Sequence, residues 1–166
     1  MRTRSMRAIT STIVGFAVLC VAGAADASQP QTGTFPIDEQ FIDDGASAAC
    51  GFDVNVHFAG TVRFIAFFDA QGDLTSVQLH TNATGTMTAN GITLDEVDHN
   101  TETINLMDGT DTEVGIVFRE SLPGLGIVIM DRGRVGATLD GTLLFEAGPH
   151  PALDGDFTAL CAALTP

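Results

Sequence analysis

Apolar and polar residues alternate most clearly over residues 51–70, directly after a cysteine. Phe52, Val54, Val56 and Phe58 alternate with Asp53, Asn55 and His57, the two-residue period of a strand with one buried and one wet face. Over residues 61–68, Val62, Phe64, Ala66 and Phe68 point one way while Ile65 and Phe67 point the other. A second strand is therefore expected there, apolar on both faces and covered on its outside by the C-terminal segment.

The same period continues between turns. The loop Asp69-Ala70-Gln71-Gly72-Asp73 suits a hairpin, and Asn90-Gly91 is the strongest two-residue hairpin signal in the chain. Between them Val77 and Leu79 oppose Ser76, Gln78 and His80, and residues 84–88 continue as strand. Beyond Asn90-Gly91, Ile92, Leu94 and Glu96 oppose Thr93, Asp95 and Val97; a turn is expected at Asp98-His99-Asn100, then a strand over 101–107. Asp108-Gly109 leads into Val114, Ile116 and Phe118, opposing Gly115, Val117 and Arg119. Pro123-Gly124 precedes Ile127-Val128-Ile129-Met130, Gly133 and Gly136 are expected to bend the following strand, and Asp140-Gly141 precedes Leu143-Leu144-Phe145-Glu146.

Two segments differ. Pro36 makes residues 35–42 an edge strand or a covering segment rather than a central strand. Phe157, Leu160, Cys161 and Leu164 follow helical spacing behind a capping Asp156, the one helix the pattern predicts. The expected fold is all-β: an antiparallel up-and-down meander closed into an 8–9-stranded barrel, because closure removes exposed edges, with a short C-terminal helix. Gly-Thr recurs at Gly33, Gly60, Gly85, Gly109 and Gly141, through either a hairpin repeat or a Gly- and Thr-rich composition.

The first 27 residues read as a signal peptide. Arg2, Arg4 and Arg7 precede an apolar run too short to span a bilayer, and Ala25-Asp26-Ala27 is a small-x-small cleavage site. Secretion with cleavage after Ala27 is expected, followed by a lead-in and covering segment over residues 28–49 and a single β-barrel domain over 50–166. Cleavage removes Cys20 and leaves Cys50 and Cys161, which in an oxidising compartment most simply form one disulfide.

Charge narrows the partners. The chain carries 21 acidic residues against seven arginines and no lysine, a net charge of −14. Phosphate backbones and anionic headgroups would be repelled, so no nucleic acid is expected as a partner, and no membrane span. The pattern specifies no oligomeric state.

Cys50-Gly51-Phe52-Asp53-Val54, Phe67-Phe68-Asp69, the stretch Phe145-Glu146-Ala147-Gly148-Pro149-His150 and the closing run from Phe157 to Leu164 resemble a group of small secreted actinobacterial β-proteins of uncharacterised function. The resemblance implies export, a disulfide and a β fold, and no activity. In architecture the chain is similar to lipocalin-like and allene-oxide-cyclase-like barrels, although, having no Trp, it has no Gly-x-Trp motif.

No nucleophile elbow, His-Glu-x-x-His motif or phosphate loop occurs, so no residue is assigned a catalytic role and no cofactor is implied. Asp108 to Glu113 and Asp154-Gly155-Asp156 gather oxygens, but turn chemistry and capping account for them and no metal is assigned. His57, His80, His99 and His150 are expected at the surface. The inward aromatics Phe52, Phe58, Phe64, Phe68 and Phe118 are the candidate lining of a cavity for a small hydrophobic ligand. A cyclase- or isomerase-like reaction in the lumen would need an inward polar group, for which Arg63, Glu96 and Arg119 are the candidates; an envelope-associated interaction protein is the further alternative.

Overall fold

In the computed structural model, which describes residues 29–166, seven antiparallel strands form one sheet in chain order. They are β1 (Gln31–Ile42), β2 (Asn55–Phe68), β3 (Leu74–Ala89), β4 (Ile92–Asn105), β5 (Thr110–Leu122), β6 (Gly126–Thr138) and β7 (Leu143–Ala147). Helix α1 (Asp44–Cys50) joins β1 to β2, and α2 (Thr158–Ala163) ends the chain. The meander is as expected. Its closure is not: β1 pairs only with β2 and β7 only with β6, so two edges stay open.

The strand count falls below eight because expected breaks do not occur. Residues on either side of Gly60 belong to one 14-residue strand, in which Val56, Phe58, Gly60, Val62 and Phe64 keep the same parity. Asp98-His99-Asn100 is not a turn either. Chain pairing continues through it, with a register shift against β5 between Val97 and His99. Opposite that shift, Val117 is the extra residue of a bulge, which reverses parity along β5. Phe118 therefore shares a face with Glu120, not with Val114 and Ile116.

The turns follow their residues. Asn90 and Gly91 both take positive φ, 52° and 79°, as a tight hairpin of this type requires. In the next hairpin upstream, the Asp69 carboxylate accepts the N–H groups of Gln71 and Asp73, both at 2.9 Å. Gly60 and Gly85 answer to a different need. A Cβ on Gly60 would strike the Asn82 carbonyl and Ala83, and one on Gly85 would strike the His57 carbonyl and Phe58. The sheet coils tightly between β2 and β3 at these two positions. Gly109 and Gly141 instead occupy turns with positive φ, so the recurring Gly-Thr pair marks no common structural unit.

One face of the sheet, called inner here, carries both helices. Val54, Val56, Met87, Ala89, Leu94 and Ile129 close against Ala46 of α1 and against Leu160 and Leu164 at α2. Burying each Val, Leu, Ile or Met of this set stabilises by about 1.5–3 kcal/mol, which makes this cluster the fold's anchor. Cys50 and Cys161 are bonded, with Cα atoms 5.1 Å apart, and tie α1 to α2. Asn90 Nδ2 donates to the Leu164 carbonyl at 3.0 Å and holds the C-terminus over the hairpin.

Three further expectations need correction. Phe52 lies in the turn before β2, not in a strand, although it packs against the core. Helix α2 sits on the inner face near Val56, and so does not cover Ile65 and Phe67, which belong to the outer face at the other end of β2. Helix α1 was not expected at all. Asp43 caps it by accepting the Ala46 N–H at 2.9 Å, and Gly51 ends it in the left-handed conformation at φ 78°.

Candidate ligand-binding face

Registers place every strand residue on one face or the other. On β4 the inner set is Ile92, Leu94, Glu96, Asp98, Asn100, Glu102 and Ile104, acidic in the middle and apolar at both ends. Glu96 stands directly opposite Glu120 on β5, and Glu102 opposite Glu113. Asp111 lies diagonal to Glu102, and Asp131 on β6 stands opposite Phe118. Seven carboxyl groups on three adjacent strands thus share the inner face.

Cations are on the other side. Arg63 pairs across to Thr34 and His80, Arg119 to Val97 and Met130, Arg132 to Ile116, and Arg134 to Val114, all outer-face positions. The Arg134 guanidinium stacks 4.9 Å from the centre of the Phe145 ring. His57, on the same outer face, makes the one ion pair found among the described residues, Nε2 to Asp38 Oδ1 at 2.9 Å. His80 also lies there, and His99 is in β4 rather than in a turn. His150 departs from expectation, being buried beside Asp131.

Without a counter-charge, burial pushes the inner carboxyl groups towards the neutral form. Burial, reinforced by Glu96, Asp98, Asp95 and Asp43, raises Glu120 to about 9. Burial and the charge of Asp43 raise Glu96 to about 7, and burial with Glu96 raises Asp98 to about 8. Burial also raises Glu113 to about 7 and Glu102 to about 8, the latter aided by the Asp111 charge and a hydrogen bond to it. Asp131 is raised by burial, opposed by hydrogen bonds from the Ala152 and Leu153 N–H groups at 3.0 and 3.2 Å. Its role is anchoring the segment that leads to α2.

Glu120 is the extreme member. Its side chain is fully buried, at 0% exposure, and neither carboxyl oxygen has a hydrogen-bond partner; Glu96, 7% exposed, leaves Oε2 unpartnered, and Asp98 leaves Oδ1. Among the described residues no group of three His, Cys, Asp or Glu side chains stands close enough to hold a metal ion.

The candidate aromatics are spread out. Phe58 and Phe118 lie on the inner face against the helix-covered core, and Phe58 meets Phe41 edge-on at 6.1 Å. Phe64 lies further along the inner face, opposite Gly33, where its ring fills the space a side chain would take. Phe68 ends β2 beyond a register shift. Beyond the helix-covered cluster, Phe64, Ala66, Val77, Leu79 and Ile104 form a half-buried apolar end of the same face. A separate groove of about 400 Å³ between β6 and α2, bordered by Ile127, Met130, Pro151 and Ala159, includes none of the candidate phenylalanines.

Of the polar candidates, Glu96 points inward while Arg63 and Arg119 point outward. Sequence reasoning missed the rest of the acidic row. The signal was present in the Ile92-Leu94-Glu96 alternation, which carried on at period two reaches Asp98, Glu102 and Ile104. The chain matches no family model, no curated protein and no solved structure.

Proposed function

We propose that this protein is an exported binding module that holds a small, largely apolar molecule on the inner face of its sheet. The observation that carries the reading is the extent of the helical cover. Helices α1 and α2 close only the end of the inner face around Val56, Leu94 and Ile129, while Phe64, Val77, Leu79 and Ile104 continue the apolar surface beyond it. A sheet face of this kind favours an apolar body by the area it removes from water. Export is supported by the basic and apolar start of the chain and by the disulfide; residues 1–27 lie outside the described residues.

Native mass spectrometry on protein taken from the culture medium of its producer tests the reading, with a titration of C8–C16 alcohols into ligand-free protein alongside. The expected result is a co-purifying apolar molecule near one-to-one stoichiometry and saturable binding of at least one alcohol. Bare protein that binds none of the alcohols would overturn it.

A further inference from the structure

We infer that the inner face takes a ligand carrying an organic ammonium group, received by the Glu96 and Glu120 carboxyl groups with Asp98 beside them. The inference rests on the proposed binding of an apolar body to this face and adds the chemistry of its polar end.

Three observations converge on these residues. Glu96 and Glu120 form a directly opposed cross-strand pair, where side chains of like kind are brought closest. Four oxygens, Glu96 Oε2, Asp98 Oδ1 and both of Glu120, are buried without a donor. A polar group buried without a partner forfeits the hydrogen bonds that water gave it in the unfolded chain. Finally, no arginine among the described residues shares this face to supply a positive charge. Glu96 and Ile129 flank Glu120 in the sheet, the other charges that act on it, from Asp98, Asp95 and Asp43, are also acidic, and the four described arginines are on the other face.

The donor set indicates the ligand. A primary ammonium brings three N–H donors and one positive charge, which matches two opposed carboxyl groups with several vacant lone pairs. A bare calcium ion is a poorer match, because it takes about 6–8 oxygen ligands and no group of three His, Cys, Asp or Glu side chains that could hold one occurs among the described residues. Along β4 the acidic stretch passes through Glu102 to Ile104, so an alkyl body can lie towards Leu79 and Phe64 while its amine reaches Asp98 and Glu96. Protons balance simply. The ammonium ligand enters charged and one carboxyl group of the pair releases its proton to solvent, giving one carboxylate for one cation.

A matched pair of probes, dodecylamine and dodecanol, separates the two layers of this reading. Each is titrated by calorimetry at pH 6, where both carboxyl groups are mostly protonated, below its aggregation concentration, in two buffers of different ionisation enthalpy, into the full protein and its Glu120→Gln, Glu96→Gln and Asp38→Asn variants. Expected are at least tenfold tighter binding of the amine than of the alcohol, with close to one proton released for the amine alone. Glu120→Gln and Glu96→Gln each weaken amine binding about tenfold and leave alcohol binding unchanged, and Asp38→Asn, on the outer face of β1, changes neither. Equal binding of both probes, insensitive to the Glu variants, would overturn the ammonium site and leave the apolar reading standing. Failure of both probes to bind would overturn the two together. Saturable calcium binding that excludes the amine would assign the carboxyl pair to a metal and also overturn the inference. Circular dichroism and the alcohol titration report whether each Gln variant is folded; should one fail, the other carries the test.

Discussion

Glu96 on β4 and Glu120 on β5 face each other across the inner sheet surface, both buried, and no positive charge lies between them. The fold tolerates them there in the neutral form, since two carboxylates at this position would repel each other in a poorly solvated site. The helices rest on the same face, so the charge state of this pair bears on the whole cover.

Stability should therefore fall as pH rises. Glu96 and Glu120 titrate at about 7 and about 9 in the folded protein, above their unfolded value of 4.5, and Asp98, Glu102 and Glu113 are raised likewise. Between these values the folded state binds more protons than the unfolded one, so their contribution is complete below about pH 4.5 and is lost on passing 7 to 9. Asp140 and Asp156, exposed and held low by hydrogen bonds to Thr138 and Thr158, act in the opposite sense but finish titrating below this window. Thermal unfolding should show Tm dropping by about 5 °C or more from pH 5 to pH 9, with a flatter profile in Glu120→Gln. A Tm that is constant or rises over that range would refute the neutral pair.

The close approach of β2 and β3 makes Gly85 intolerant of a side chain. A single methyl group there would be driven into the His57 carbonyl and Phe58, both backbone or core neighbours that cannot swing aside. Gly85→Ala should cost about 2–3 kcal/mol in urea unfolding, against less than about 0.5 kcal/mol for Thr84→Ala on the exposed face. Equal costs for the two would mean that the strands separate more easily than the geometry implies.

Asp131 holds the segment between β7 and α2. Its two carboxylate oxygens take the N–H groups of Ala152 and Leu153, and buried His150 lies beside it. Asp131→Ala should leave both donors short of a partner and cost about 2–4 kcal/mol, while Asp131→Asn keeps one acceptor and should cost roughly half as much. Hydrogen exchange at Ala152 and Leu153 distinguishes a local loss from a global one. Unchanged protection at these two amides in Asp131→Ala would remove the anchoring role.

Much of this was legible in the residues, and its limits have physical causes. Strand parity along β2 and β3 could be read directly, because Val56, Val77 and Leu79 alternate cleanly with polar neighbours. Whether a sheet closes is decided by its edge strands, and β7, only five residues long, offers β6 four pairing positions before Gly148-Pro149 turn the chain away. The bulge at Val117 left no local mark and inverted the face of Phe118. Helix α1 is too short and too poor in large apolar residues to show a period, although Asp43 and Gly51 mark its ends. The acidic row escaped notice for a related reason: Asp98-His99-Asn100 has turn composition, and only pairing with both neighbours keeps it a strand.

The bond between Cys50 and Cys161 gives the final prediction. It closes a loop spanning 111 residues, for which chain entropy alone suggests on the order of 4–5 kcal/mol. Both cysteines belong to the helical cover, Cys50 as the last residue of α1 and Cys161 within α2, and these helices are only seven and six residues long. Neither is stable by itself at that length, so the sulfur link and the burial of Ala46 and Leu160 must hold them in place. In Cys50→Ser/Cys161→Ser, urea unfolding should show a loss of about 4 kcal/mol, and hydrogen exchange should rise first in α1 and α2 while the β2–β5 ladders stay protected. A loss below about 1 kcal/mol would mean that the open form of the chain already keeps its ends together. Simultaneous loss of protection in helices and strands would mean that the cover and the sheet unfold as one unit.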